Sequence, residues 1–202
     1  MAALDALRTY LFRHCLRNDP LDRNFFPSDL VRNAISHKTI QDILSDSGLE
    51  DFAIEEMSRV IMAGAWNVFA ILCLVMQPKS ITRFAEDDGF QRSTIDSRLP
   101  FDKNKLESLL QGAAAPDFHR QQCGFCAPYF SGSVFNRVLP AEFILPFIED
   151  DALPSGQGGF GRCFKVKIES SYQKFDAGHV YDQVSFWNSS TIQGHFLTIL
   201  GH

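Results

Sequence analysis

The chain has 202 residues, 45% of them apolar, including 19 Phe, and carries a formal net charge of −5. That supplies a globular core, while the acidic balance and the lack of a Lys/Arg run give no support for a nucleic-acid-binding face. Five Cys, without the spacing of a secreted disulfide scaffold, suit reduced thiols in the cytoplasm or nucleus.

From the N-terminus, Leu4, Leu7, Leu11 and Cys15 recur at helical spacing, with Asp5, Arg8 and Arg13 largely off that line. This predicts an amphipathic first helix. Arg8, Arg13 and Arg17 interrupt the apolar run a signal peptide would need. Asp19-Pro20 is the expected stop, and Pro27-Ser28-Asp29 opens a second helix with Leu30, Val31, Ala34 and Ile35. Thr39 is the expected cap of a third, holding Ile40, Ile43 and Leu44 and ending at Gly48.

A fourth helical region begins near Asp51 and passes through Gly64, where the change from striped to uniformly apolar predicts a break into two helices. Residues 60–76 are uncharged but short of the roughly 20 residues of a membrane-spanning helix, so they read as a buried core helix. Residues 80–86 and 103–110 are helical, with Leu99-Pro100-Phe101 extended between them. Residues 1–115 therefore read as an all-helical domain, bounded by the small-residue stretch 112–117. Residues 116–150 are a connecting segment: a helical turn or two within 119–130, then strand-like 134–139 and 143–147. Residues 151–202 hold a glycine-rich loop and, from 181 on, a tail whose pattern assigns no element.

In that loop Gly156, Gly158 and Gly161 fit G-x-G-x-x-G, with Phe160 just before the third glycine. Such glycines let backbone approach phosphates where a Cβ would collide. Phe164, Val166 and Ile168 then alternate with Lys165 and Lys167, as in a half-buried strand. A dinucleotide fingerprint would open a helix there instead. The pattern favours a protein-kinase loop, although a plain hairpin uses the same glycines.

Further segments carry a resemblance: Val68-Phe69-Ala70-Ile71-Leu72 with Ile81 and Phe84, then Ile95-Asp96-Ser97-Arg98-Leu99-Pro100-Phe101. They are followed by Phe125-Cys126-Ala127-Pro128-Tyr129-Phe130 and Ile144-Leu145-Pro146-Phe147, which lead into the glycine loop. With that loop, about residues 1–175 resemble the N-terminal region of fungal serine/threonine protein kinase-like proteins, in which a helical region precedes the kinase domain. The resemblance implies that Gly156, Gly158 and Gly161 would cover the ATP phosphates, with Phe160 at the tip. Cys163 would stand where a Val usually lies over the adenine. It implies ATP/Mg²⁺ binding and phosphorylation only for a complete relative. In this sequence no V-A-I-K-like strand supplies the phosphate-holding Lys, and no H-R-D or D-F-G occurs. Lys165 and Lys167 come too early, and Lys174 lacks an apolar strand around it. No catalytic residue and no bound cofactor are therefore expected. After Asp176 the resemblance ends, as in a chain cut off within the kinase N-lobe.

The expectation is an α+β, non-catalytic kinase-like chain whose helical domain binds a protein partner, with neither nucleic acid nor membrane. The alternative is a stand-alone helical interaction module whose β segment only packs. Cys123-Gly124-Phe125-Cys126 is a CxxC without a second pair, so ordinary thiols are favoured over a zinc or redox site. The six His form no H-E-x-x-H or close pair, and Glu86-Asp87-Asp88 and Glu149-Asp150-Asp151 read as solvated loops and caps.

Overall fold

A computed structural model describes residues 2–18, 23–87, 92–131, 136–139, 143–150, 156–158, 161–163, 166–174, 183–188 and 195–200. The protein is α+β, with eight α-helices among these residues and several short β ladders. It divides into a helical unit, Met1–Cys15 with Phe26–Cys126, and a β-rich unit, Leu16–Phe25 with Ala127–His202.

In the helical unit, α1 (Ala2–His14) buries Leu4, Leu7 and Leu11, as the spacing predicts. Helix α2 (Ser28–Ala34) buries Val31, and α3 (His37–Asp46) buries Ile40, Ile43 and Leu44. The cap of α3 is Ser36 rather than Thr39: its Oγ accepts the Thr39 amide at 3.1 Å, so Thr39 lies inside the first turn. At the other end Gly48 takes φ +76°, with Leu49 N–H donating to Leu44 O and Gly48 N–H to Ser45 O. That is a Schellman ending, and only a residue without Cβ adopts it freely.

Helices α4 (Asp51–Gly64) and α5 (Trp66–Leu74) bend by 116° at the break expected beside Gly64. No single helix among the described residues is long and apolar enough to cross a membrane. Helix α5 buries every residue from Val68 to Leu74 and packs against α1, α2 and α4. It also packs against α6 (Ile81–Asp87) and α8 (Ala114–Gln122), which makes it the axis of the unit.

Helix α7 (Lys103–Leu109) is capped by Asp102, whose carboxylate accepts the Lys105 amide at 2.9 Å. Phe84, Phe101 and Phe118 form an aromatic triad at 5.3, 5.5 and 6.3 Å. Each such pair contributes about 0.5–1.5 kcal/mol beyond its burial. Buried Gln122 donates to Phe101 O and accepts from Phe101 N–H, both at 2.8 Å, as a neighbouring strand would. The helical unit runs on to Cys126 instead of ending near 115, because Ala114, Ala115, Phe118 and Gln122 are buried in it.

The β-rich unit begins with an antiparallel pair, β1 (Leu16–Asn18) and β2 (Arg23–Phe25), that the sequence reading did not anticipate. Two three-residue strands are too short to display a period. The Asn18 side chain donates to Leu145 O at 2.6 Å, and Phe25 meets Tyr172 edge-to-face at 5.8 Å. Strand β3 (Phe130–Ser131) is followed by β4 (Asn136–Leu139) and β5 (Phe147–Asp150). Next come β6 (Gly156–Gly158), β7 (Gly161–Cys163) and β8 (Val166–Ile168). The last are β9 (Gln173–Lys174), β10 (Gln183–Asn188) and β11 (His195–Leu200). β3 pairs in parallel with β9, while β10, β11 and β4 form an antiparallel sheet in that order. The tail thus holds two strands that its composition did not announce.

Candidate functional site

The glycine-rich segment is a two-stranded hairpin. β6 pairs antiparallel with β7, placing Gly156 opposite Cys163, Gln157 opposite Arg162 and Gly158 opposite Gly161. Four of the five sequence-derived candidates are thus brought onto one ladder, whereas Phe160 lies outside the described residues. Upstream and downstream of it, β5 pairs antiparallel with β8, with Phe147 opposite Ile168 and Asp150 opposite Val166. The two ladders nest in sequence, the β5–β8 pair enclosing β6–β7, as successive rungs of one long hairpin would. Between Phe147 and Glu149 the register shifts by a bulge, which raises local twist. Phe147 and Ile168 are buried at the base.

Chemically, such a tip offers backbone N–H groups and space where Cβ atoms would stand. Its one cationic residue on the ladder is Arg162, opposite Gln157. The strand lying beside β7 is β10, whose six residues include no Lys, so no ammonium comes from that neighbour. Lys167 sits opposite Glu149, and Lys174 pairs in β9 with Ser131.

The CxxC begins at the C-cap of α8 and spans a 3₁₀ turn, Cys123–Phe125. Burial pushes the Cys126 thiol up to about 12, assisted by the neighbouring Cys123 and Asp96. Cys123 Sγ donates to His119 O at 3.9 Å, as a helical thiol does. A redox or zinc thiol needs its pKa lowered, so Cys126 has the opposite electrostatics. Among the described residues no three His, Cys, Asp or Glu side chains are placed to hold a metal ion.

Two carboxylates carry roles that the sequence reading missed. Asp96, in the 3₁₀ turn Arg92–Arg98, accepts the Asn67 amide at 3.0 Å and the Val68 amide at 2.9 Å. It thereby caps α5 from 28 residues away. Burial raises its pKa to about 6, against the lowering effect of those amides and of Arg32. No local pattern can reveal a cap at that separation, since capping signals are read within one turn. Asp87 is not simply a solvated loop acid. It accepts from Lys105 and from Arg98, the latter at 3.0 Å, and these partners hold its carboxyl below the usual range. Arg98 also lies over the Phe101 ring at 5.4 Å. Both carboxylates bind protein groups within the helical unit.

No protein family, curated protein or solved structure matches the chain.

Proposed function

We propose that the chain is a kinase-like protein that does not itself transfer phosphate, with its protein contacts made through the helical unit. The observation that supports this reading best is the nested hairpin, in which Gly158 faces Gly161 and Phe147–Asp150 pairs with Val166–Ile168. A kinase's glycine-rich loop likewise precedes an outgoing strand. Phosphoryl transfer requires a Lys on the α/β-phosphates, a catalytic-loop Asp and an Mg²⁺ ligand, and this sequence has none of those motifs. Without them nothing stabilises the transferring charge.

Incubating the purified chain with γ-labelled Mg·ATP and a protein acceptor tests the catalytic half. No label is expected in either protein, and incorporation above a heat-treated control overturns it. Mg·ATP is expected to stabilise the fold by less than about 0.4 kcal/mol, the value reached when ligand equals its Kd. Sequencing the transcript past the His202 codon tests the kinase relation. A Lys-bearing strand followed by H-R-D and D-F-G supports it, and any other continuation overturns it. A stop codon there favours the stand-alone helical module.

A further inference from the structure

Leu4, Leu7 and Leu11 turn one side of α1 into the core, and the opposite stripe has its own chemistry. Asp5, Arg8, Thr9, Phe12 and Arg13 stand at i, i+3, i+4, i+7 and i+8, which a helix places along one face. Together they line an open hollow of about 540 Å³.

Three features of that stripe are unusual for a solvated helix face. Phe12 is 47% exposed, with its ring edge-on to Phe26 at 6.3 Å, so it offers a large apolar surface to a partner. Among the described residues Arg8 has its Nε shut from water without a hydrogen-bond partner, and its Nη1 lies 3.9 Å from Asp5, an ion pair too long for a hydrogen bond. Its planar fork therefore lacks the paired acceptors that guanidinium groups favour. Arg13 is exposed and makes no ion pair among the described residues. The stripe thus presents two guanidinium groups and one carboxylate on a chain whose net charge is −5.

We propose that this face of α1 docks an acidic peptide segment of a partner protein, with carboxylates on Arg8 and Arg13 and an apolar side chain against Phe12. This rests on the helical unit being the binding part of the chain, and not on the kinase resemblance. Charge complementarity selects the acidic peptide. Asp5 within the stripe and the acidic balance of the whole chain oppose the closely spaced phosphates of a nucleic acid.

Fluorescence polarisation of the full chain with a labelled peptide of interspersed Glu and Leu tests the proposal. The same peptide with Lys for Glu, and oligo(dT), serve as comparisons. The Glu peptide is expected to bind saturably and to weaken as salt rises. R13E alters an exposed, unpaired side chain and leaves the fold intact by circular dichroism; it is expected to lower affinity at least about tenfold, with R8Q close behind. Equal binding of the Lys peptide, tighter binding of oligo(dT), or unchanged affinity in R13E overturns the proposal. Amide exchange of the complex distinguishes docking on α1 from binding elsewhere on the helical unit. Protection within α1 supports the docking site. Protection confined to other helices overturns the α1 assignment while keeping the helical unit as the binding part, and protection in the hairpin alone overturns both.

Discussion

Asp96 links the stability of the helical unit to pH in a direction that can be worked out. In an unfolded chain its carboxyl titrates near 3.8, and in the fold burial raises this to about 6. A raised carboxyl pKa means the fold holds the proton more tightly than the unfolded chain does. The stabilisation is therefore complete below pH 3.8 and is lost as pH climbs through 6. The rise from 3.8 to about 6 corresponds to about 3 kcal/mol, of which about 2–3 falls between pH 4 and 7. Replacing Asp96 by Asn removes the titration and sets an NH2 against an amide of Asn67 or Val68, a mismatch costing about 1–3 kcal/mol. Urea melts of both proteins from pH 4 to 7 isolate the effect, because every other titrating group cancels in their difference. D96N is expected to be the weaker protein at pH 4 and to close the gap by about 2–3 kcal/mol at pH 7. A difference constant to within about 0.5 kcal/mol, or one that widens as pH rises, refutes the reasoning.

Phe118→Ala removes a fully buried ring from the triad with Phe84 and Phe101 and is expected to cost about 3–5 kcal/mol in a denaturant melt. A loss below about 1 kcal/mol would mean that the triad is not a packed core. Gly48→Ala meets open space but forces an L-residue to φ +76°, so the expected loss is about 1–2 kcal/mol from backbone strain alone. Alkylation mapped by mass spectrometry at pH 8 should modify Cys73 and Cys126 slowly in the native protein and both readily in urea, since burial raises both thiols. Fast native labelling of Cys126 would restore a redox reading of the CxxC.

Helices long enough to repeat their apolar period were legible in the sequence. Leu4, Leu7 and Leu11 mark α1, and the loss of striping beyond Gly64 marks the turn from α4 into α5. Contacts made over long separations were not legible. The cap on α5 comes from Asp96, and Gln122 satisfies both backbone groups of Phe101, so neither residue leaves a local signature. Ser36 and Thr39 can both cap, and sequence alone favoured the wrong one because the helix starts three residues earlier than a Thr39 cap would allow, at His37. Of the candidate site, the glycine spacing was legible, and the structure adds the facing pairs Gly156 with Cys163 and Gly158 with Gly161. The arginines of α1 were visible only as residues off the apolar line. Helical spacing already aligns them with Phe12, but the contact of Phe12 with Phe26 is one that sequence does not supply.

Residues Leu16–Phe25 belong to one unit while both of their flanks belong to the other. Neither unit is therefore a continuous piece of chain. A nascent polypeptide delivers β1 long before Leu145, the acceptor for Asn18, has been synthesised. Until then the strand pair lacks that partner, while the helices of the other unit can already assemble. Cutting the gene after Cys126 would yield a helical fragment burdened with a stranded pair of β-strands, and a 127–202 fragment lacking its own first two. Dissection into autonomous halves should therefore excise residues 16–25 from the first and restore them to the second, by circular permutation rather than by truncation.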